Sequence, residues 1–97
     1  MFCSVILSFA DAETELLWDT GKNRRIPASR RAVAARKLAQ LDSAQTLKDL
    51  SWPPGNRLEA LVGNRSGLHS IHINNQFRLC FLWRDGNAFK AEIVNYH

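Results

Sequence analysis

Ninety-seven residues carry thirteen Lys plus Arg against nine Asp plus Glu, a net charge of +4, with an apolar share of 45%. That length holds one small domain, expected to span residues 1–97, and the apolar share excludes wholesale disorder. The basic surplus favours a polyanionic partner, nucleic acid first.

The chain opens with an apolar run rich in Val, Ile and Leu, read as a strand over residues 3–9. The run has no basic start and is stopped by Asp11 and Glu13, which argues against a leader. No stretch is long enough to span a bilayer, so a cytoplasmic location without a membrane partner is expected. Asp11 is a good N-cap for a first helix, with Glu13 and Glu15 where the helix dipole favours acids. That helix carries Leu16, Leu17 and Trp18 and should end near Thr20, with Gly21 as the left-handed residue past it. Lys22, Arg24 and Arg25 follow in a loop closed by Pro27.

A second helix is expected over residues 28–41, where Ala34, Leu38 and Leu41 recur at i, i+4, i+7 and face the core. Arg30, Arg31, Arg36 and Lys37 sit along it. A short helical turn over 44–50 leads into Ser51-Trp52-Pro53-Pro54-Gly55-Asn56, an irregular connection. Four strands are expected after Gly55, over 57–62, 68–74, 76–83 and 88–95, separated by Gly-, Asn- and Asp-rich turns. In the third of these, Phe77, Leu79, Phe81 and Trp83 share one face, and Arg78, Cys80, Leu82 and Arg84 the other. Ile71 and Ile73 likewise face the core while Ser70 and His72 face away. Such alternation describes an antiparallel sheet with helices on one face and solvent or a ligand on the other. The fold class is therefore α+β, a small antiparallel-dominated sheet with two N-terminal helices on one face. Cys3 and Cys80 lack ligand spacing and lie in apolar runs, so they read as reduced core thiols; no metal or other cofactor is expected.

The last forty residues concentrate the chemistry, with Arg57, Arg65, His72 and Arg78 in a small basic sheet and Tyr96 and His97 at its close. Cleaving RNA without a metal takes a base for the 2′-OH proton, a cation for the phosphorane and an acid for the leaving oxygen. Arg78 is the best candidate cation. A guanidinium on a central strand needs a partner, and a phosphate or a carboxylate such as Glu59 or Glu92 can supply it. His97 titrates in the right range for an acid or base, although terminal residues fray. Tyr96 reads as an interfacial aromatic, able to stack on an unstacked base. Strict alternation sets Tyr96 on the open face with Lys90 and Glu92 but His97 on the core side. His72 shares the open face with Arg78, whereas His69 has the opposite parity, so the two do not form a ligand pair. Lys22, Arg24, Arg25, Arg30 and Arg31 place five basic side chains in ten residues, suited to a solvated surface or to positioning phosphates.

Several segments together resemble the HigB branch of the RelE/ParE toxin superfamily. They are Gly55-Asn56-Arg57-Leu58-Glu59-Ala60-Leu61, Gly63-Asn64-Arg65-Ser66-Gly67, His69-Ser70-Ile71-His72-Ile73-Asn74, Gln76-Phe77-Arg78-Leu79-Cys80-Phe81 and Glu92-Ile93-Val94-Asn95-Tyr96-His97. The order of elements matches over nearly the whole chain. The resemblance implies a RelE-like, microbial-RNase-type fold and a toxin of a two-gene toxin–antitoxin module. It further implies a ribosome-dependent endoribonuclease that cuts mRNA in the A site by metal-free 2′-OH attack. The implied partners are the ribosome, mRNA and a cognate antitoxin, expected to be a helix-turn-helix DNA-binding protein through which DNA is met only indirectly.

By position, Arg78 matches the family's phosphate-stabilising Arg, Tyr96 and His97 its terminal catalytic pair, and Arg65 a basic turn residue near the RNA. Three positions depart from the pattern. Asn95 stands where the family typically has Asp, Val62 where Lys is common, and His72 where Arg is usual. Glu59 occupies a place where some members put a catalytic His, and its carboxylate suits either a base or an ion-pair partner for Arg78. Two other readings fit the same fold: a catalytically impaired ribosome or RNA binder, and a ParE-like gyrase inhibitor. The Arg78, Tyr96 and His97 combination argues against the latter.

Overall fold

A computed structural model describes residues 5–61 and 67–95. Helix α1, Ala12–Thr20, starts where Asp11, in extended backbone, accepts the Thr14 N–H at 2.7 Å. It stops at Gly21, whose φ of 80° only glycine adopts without strain and whose N–H reaches the Leu17 carbonyl. Helix α2, Ala28–Ser43, follows Pro27 and buries Ala34, Leu38 and Leu41 completely, as their spacing predicts. It runs two residues past the expected end, which brings Asp42 beside the N-terminal segment. One Asp42 carboxylate oxygen accepts both the Val5 and Ile6 N–H groups at 3.0 Å.

The expected helical turn is a 3₁₀ helix, Leu47–Ser51, opened by a reciprocal capping box between Thr46 and Asp49. A second 3₁₀ turn, Pro54–Asn56, ends the irregular connection. The sheet is an antiparallel meander in the order β1 (Glu59–Ala60), β2 (Leu68–His72), β3 (Phe77–Arg84), β4 (Asn87–Asn95). Leu17, Leu38 and Leu41 from the helices close over Ile71, Phe77, Leu79, Phe81 and Ile93 to form the core on one face.

Two strands differ from expectation for identifiable backbone reasons. The segment expected as a strand over 3–9 lies parallel to β4 but, among the described residues, makes two separate bridges, Ile6 to Ala88 and Phe9 to Ala91. Between those bridges β4 carries a bulge, with Lys90 at φ 53° and its N–H turned to the Ser8 hydroxyl. The extra residue breaks the ladder that the segment would otherwise form. Strand β1, expected over 57–62, has two residues. Arg57 sits at φ 46°, outside the range of a strand, and Val62 lies outside the described residues. Strand β2 stops at His72 because the Asn74 side chain accepts the Gln76 and Phe77 N–H groups and closes the turn.

The face away from the helices is less open than the alternation suggests. Ser70, Arg78 and Cys80 are all buried there.

Candidate functional site

Arg78 lies in β3 between β2 and β4, and His72 stands directly across from it in the β2–β3 ladder. Both side chains take the face opposite the helices, as expected. The Arg78 guanidinium reaches diagonally across β2. It donates to the Ser70 hydroxyl at 3.0 Å and, at 3.1 Å, to the Glu59 carboxylate on β1. The carboxylate partner that the sequence offered Arg78 is therefore engaged, and it is Glu59. Arg78 is only 8% exposed, whereas the Glu59 side chain is half in solvent. A nearly buried guanidinium with a loosely held carboxylate is a fixed cation with an exchangeable partner.

His72 completes the cluster. Burial lowers its pKa below the ordinary 6.5, and the positive charges of Arg57, Arg78 and Lys37 push the same way. The shift favours the neutral imidazole, which can accept a hydrogen bond or a proton in a cationic setting. Arg57 reaches this site because the chain turns through its left-handed residue straight after the second 3₁₀ turn.

Lys37 is the member that the sequence reading passed over as a site residue. It lies three residues after Ala34 and four before Leu41, on the flank of the buried stripe of α2, a position the helical period does give. Its ammonium donates to the side-chain oxygen of Asn56. Asn56 is fully buried and held in turn by donating to the Leu50 and Trp52 carbonyls. Burial, and then the charge of Arg36, lower the Lys37 pKa.

Asn95 stands apart from this cluster. It pairs with Phe77, so its side chain takes the helix-facing parity of β4 while Glu92 and Val94 share the face of Arg78. There it lines a cleft of about 390 Å³ with Asp11, Thr14, Asn23 and Arg25 among others. Arg25 is bound in that cleft to Asp11 at 2.7 Å. Burial alone would raise the Asp11 carboxyl, but hydrogen bonds from Thr14 and Arg25 outweigh it and hold the group below the usual carboxylate range. Arg25 and Asn95 thus share one cleft, which Glu92 and Val94 also line.

The remaining basic residues divide by engagement. Arg31 donates its Nε–H to the Ile26 carbonyl at 2.9 Å and braces the loop. Lys22, Arg24 and Arg30 are exposed, although the Arg24 backbone N–H is tied to the Glu13 carboxylate. His69 lies on the helix face, stacked on Phe81. Arg65, Tyr96 and His97 lie outside the described residues. Among the described residues, no three of His, Cys, Asp or Glu come together as a ligand set, and no helix is long and apolar enough to cross a membrane.

Two helices over one face of a four-stranded antiparallel meander make a small α+β fold of the RelE-like kind. A family model described as a RelE-like toxin of type II toxin-antitoxin system HigB matches residues 7–97. Toxin HigB-1 of Vibrio cholerae serotype O1 is 47% identical over 86 residues, which cover 88% of this chain and 90% of that protein. An uncharacterized protein of Haemophilus influenzae is 34% identical over 64 residues, 66% of this chain and 63% of that protein. The chain belongs to the HigB-like toxins, toxins of type II toxin–antitoxin systems. A cognate antitoxin is implied by that class.

Proposed function

We propose that this toxin is a ribosome-dependent endoribonuclease, an mRNA interferase that cuts message in the A site. The observation that carries the reading is the Arg78 guanidinium, fixed by Ser70 and Glu59 on a central strand with His72 across from it. In the reaction, a base removes the 2′-OH proton and the 2′ oxygen attacks the neighbouring phosphorus. The P–O5′ bond breaks, leaving a 2′,3′-cyclic phosphate, and an acid protonates the departing oxygen. Arg78 meets the charge that builds on the phosphorane. Glu59 is within one hydrogen bond of Arg78, so a phosphate arriving at the guanidinium brings its 2′-OH near that carboxylate, and Glu59 acts as base. Tyr96 and His97 supply the stack and the acid by their match to the family's terminal pair, with Asn95 positioning them. Arg57, Arg65 and His72 hold the RNA. Lys22, Arg24, Arg25, Arg30 and Arg31 form the ribosome-facing surface, with the direct contacts falling to Lys22, Arg24 and Arg30. The protein acts in the cytoplasm as a single domain, and its antitoxin is a helix-turn-helix DNA-binding protein.

The test maps mRNA ends in translating ribosomes and in naked RNA. New ends are expected on the ribosome and almost none on free message, because so small a surface leaves positioning to the ribosome. Equal cleavage of both would overturn ribosome dependence. One observation favours a second reading, that of an impaired ribosome binder: the charge of Arg78 is already met by Glu59. Growth inhibition without new RNA ends would select it.

A further inference from the structure

Trp52 is 72% exposed, the most exposed large apolar side chain among the described residues. A solvated indole is costly, yet this one is not on a loose loop. The Trp52 carbonyl accepts the Gln40 side-chain amide at 2.6 Å and that of the buried Asn56 at 3.3 Å. Beside it lies a groove of about 360 Å³ lined by Val33, Arg36, Lys37, Gln40, Pro53 and Ile73. Pro53 and Gln40 join the groove to Trp52, one through the chain and the other through that hydrogen bond. Lys37 joins it to the Arg78 cluster, since its charge acts on His72. An exposed aromatic next in the chain to a groove residue, and two cations lining that groove, are the two elements that bind single-stranded nucleic acid. The aromatic stacks on a base of any identity, and the cations follow the phosphates.

We propose that Trp52, Lys37 and Arg36 form a nucleotide subsite next to Arg78, in which one unpaired RNA base stacks on the Trp52 indole and its phosphate lies at Lys37 and Arg36. The choice of RNA as ligand rests on the nuclease reading above. Asn56 is the strut of this subsite, because it fixes both the Lys37 ammonium and the Trp52 carbonyl.

The test uses the whole protein labelled with 5-fluorotryptophan, whose three tryptophans give three ¹⁹F resonances. That of Trp52 is assigned by its loss in Trp52→Phe. A short unstructured oligoribonucleotide titrated at low salt should move the Trp52 resonance saturably and leave those of Trp18 and Trp83 in place. The same strand made abasic should move it far less. Lys37→Ala should weaken the response roughly five-fold or more and lower its salt slope by about 0.7. A Trp52 signal that stays still, that abasic strand or polyphosphate moves equally, or that only the antitoxin moves overturns the proposal. No cleavage is needed for this readout. A strand that shifts Trp52 while message on translating ribosomes shows no new ends would count against the nuclease and not against the subsite.

Discussion

His72 and Arg78 both tie stability to the candidate site. Because the folded pKa of His72 is lowered, the unfolded chain binds more protons between that value and about 6.5, so stability rises with pH across this window. Acidification from pH 7 should therefore lower the urea midpoint as the imidazole is forced to charge among three cations, and His72→Gln should flatten that slope. Arg78 was legible as a candidate from its place in an alternating strand, but its burial was not, since alternation reports a face and not what covers it. Arg78→Ala is consequently expected to cost stability as well as toxicity. It leaves Ser70 buried without that donor, at a cost of about 1–3 kcal/mol for a charged hydrogen bond. Arg78→Lys keeps the charge and should recover more of the urea midpoint than of the cleavage rate, because a lysine cannot reproduce the forked geometry. Position 95 lines the same cleft as Arg25. Asn95→Asp places a carboxylate near that cation and should raise the single-turnover rate roughly ten-fold or more if the acid moves a proton. A flat rate would show that a hydrogen bond is enough there.

The helices were readable residue by residue, from Asp11 as cap to Gly21 as stop and the buried stripe on α2, because each of these signals acts within a turn or two of its own position. The outer strands were not. Arg57 and Lys90 take positive φ although neither side chain announces it, and each sits where an expected ladder is shortened or interrupted. Lys37 and Asn56 escaped notice as site members because what joins them is the packing of a helix against an irregular turn 19 residues away. The same local bonds give stability tests. Asp11→Ala removes both a cap and an ion pair and should cost about 1–2 kcal/mol by urea denaturation at neutral pH. With its carboxyl held low in the folded state, the native contribution of Asp11 is present above about pH 4 and fades as pH falls through the folded value. Asp42→Ala should loosen the N-terminal segment, read as faster amide exchange at Leu7 and Ala10 than in the parent protein.

Among the described residues two basic groups stand out, the 22–31 loop and helix start, and Lys37, Arg57 and Arg78 around His72. Charge reversal at Arg24 and Arg30 should lower the log–log salt slope of ribosome association by about one unit for each phosphate no longer neutralised. The same change at Arg25 or Arg31 should act first on folding, since both are bound within the protein. The parallel seam between the N-terminal segment and β4 has a further consequence, for the timing of assembly. Ser8 and Lys90 meet across 82 positions of chain. Pairings of such separation form slowly, because a long loop must be closed before they can contribute. During synthesis the segment made at the beginning has no strand to lie against until the bulged one is finished. A chain built in this order cannot close that seam until β4 has been made, which places the pairing late in assembly.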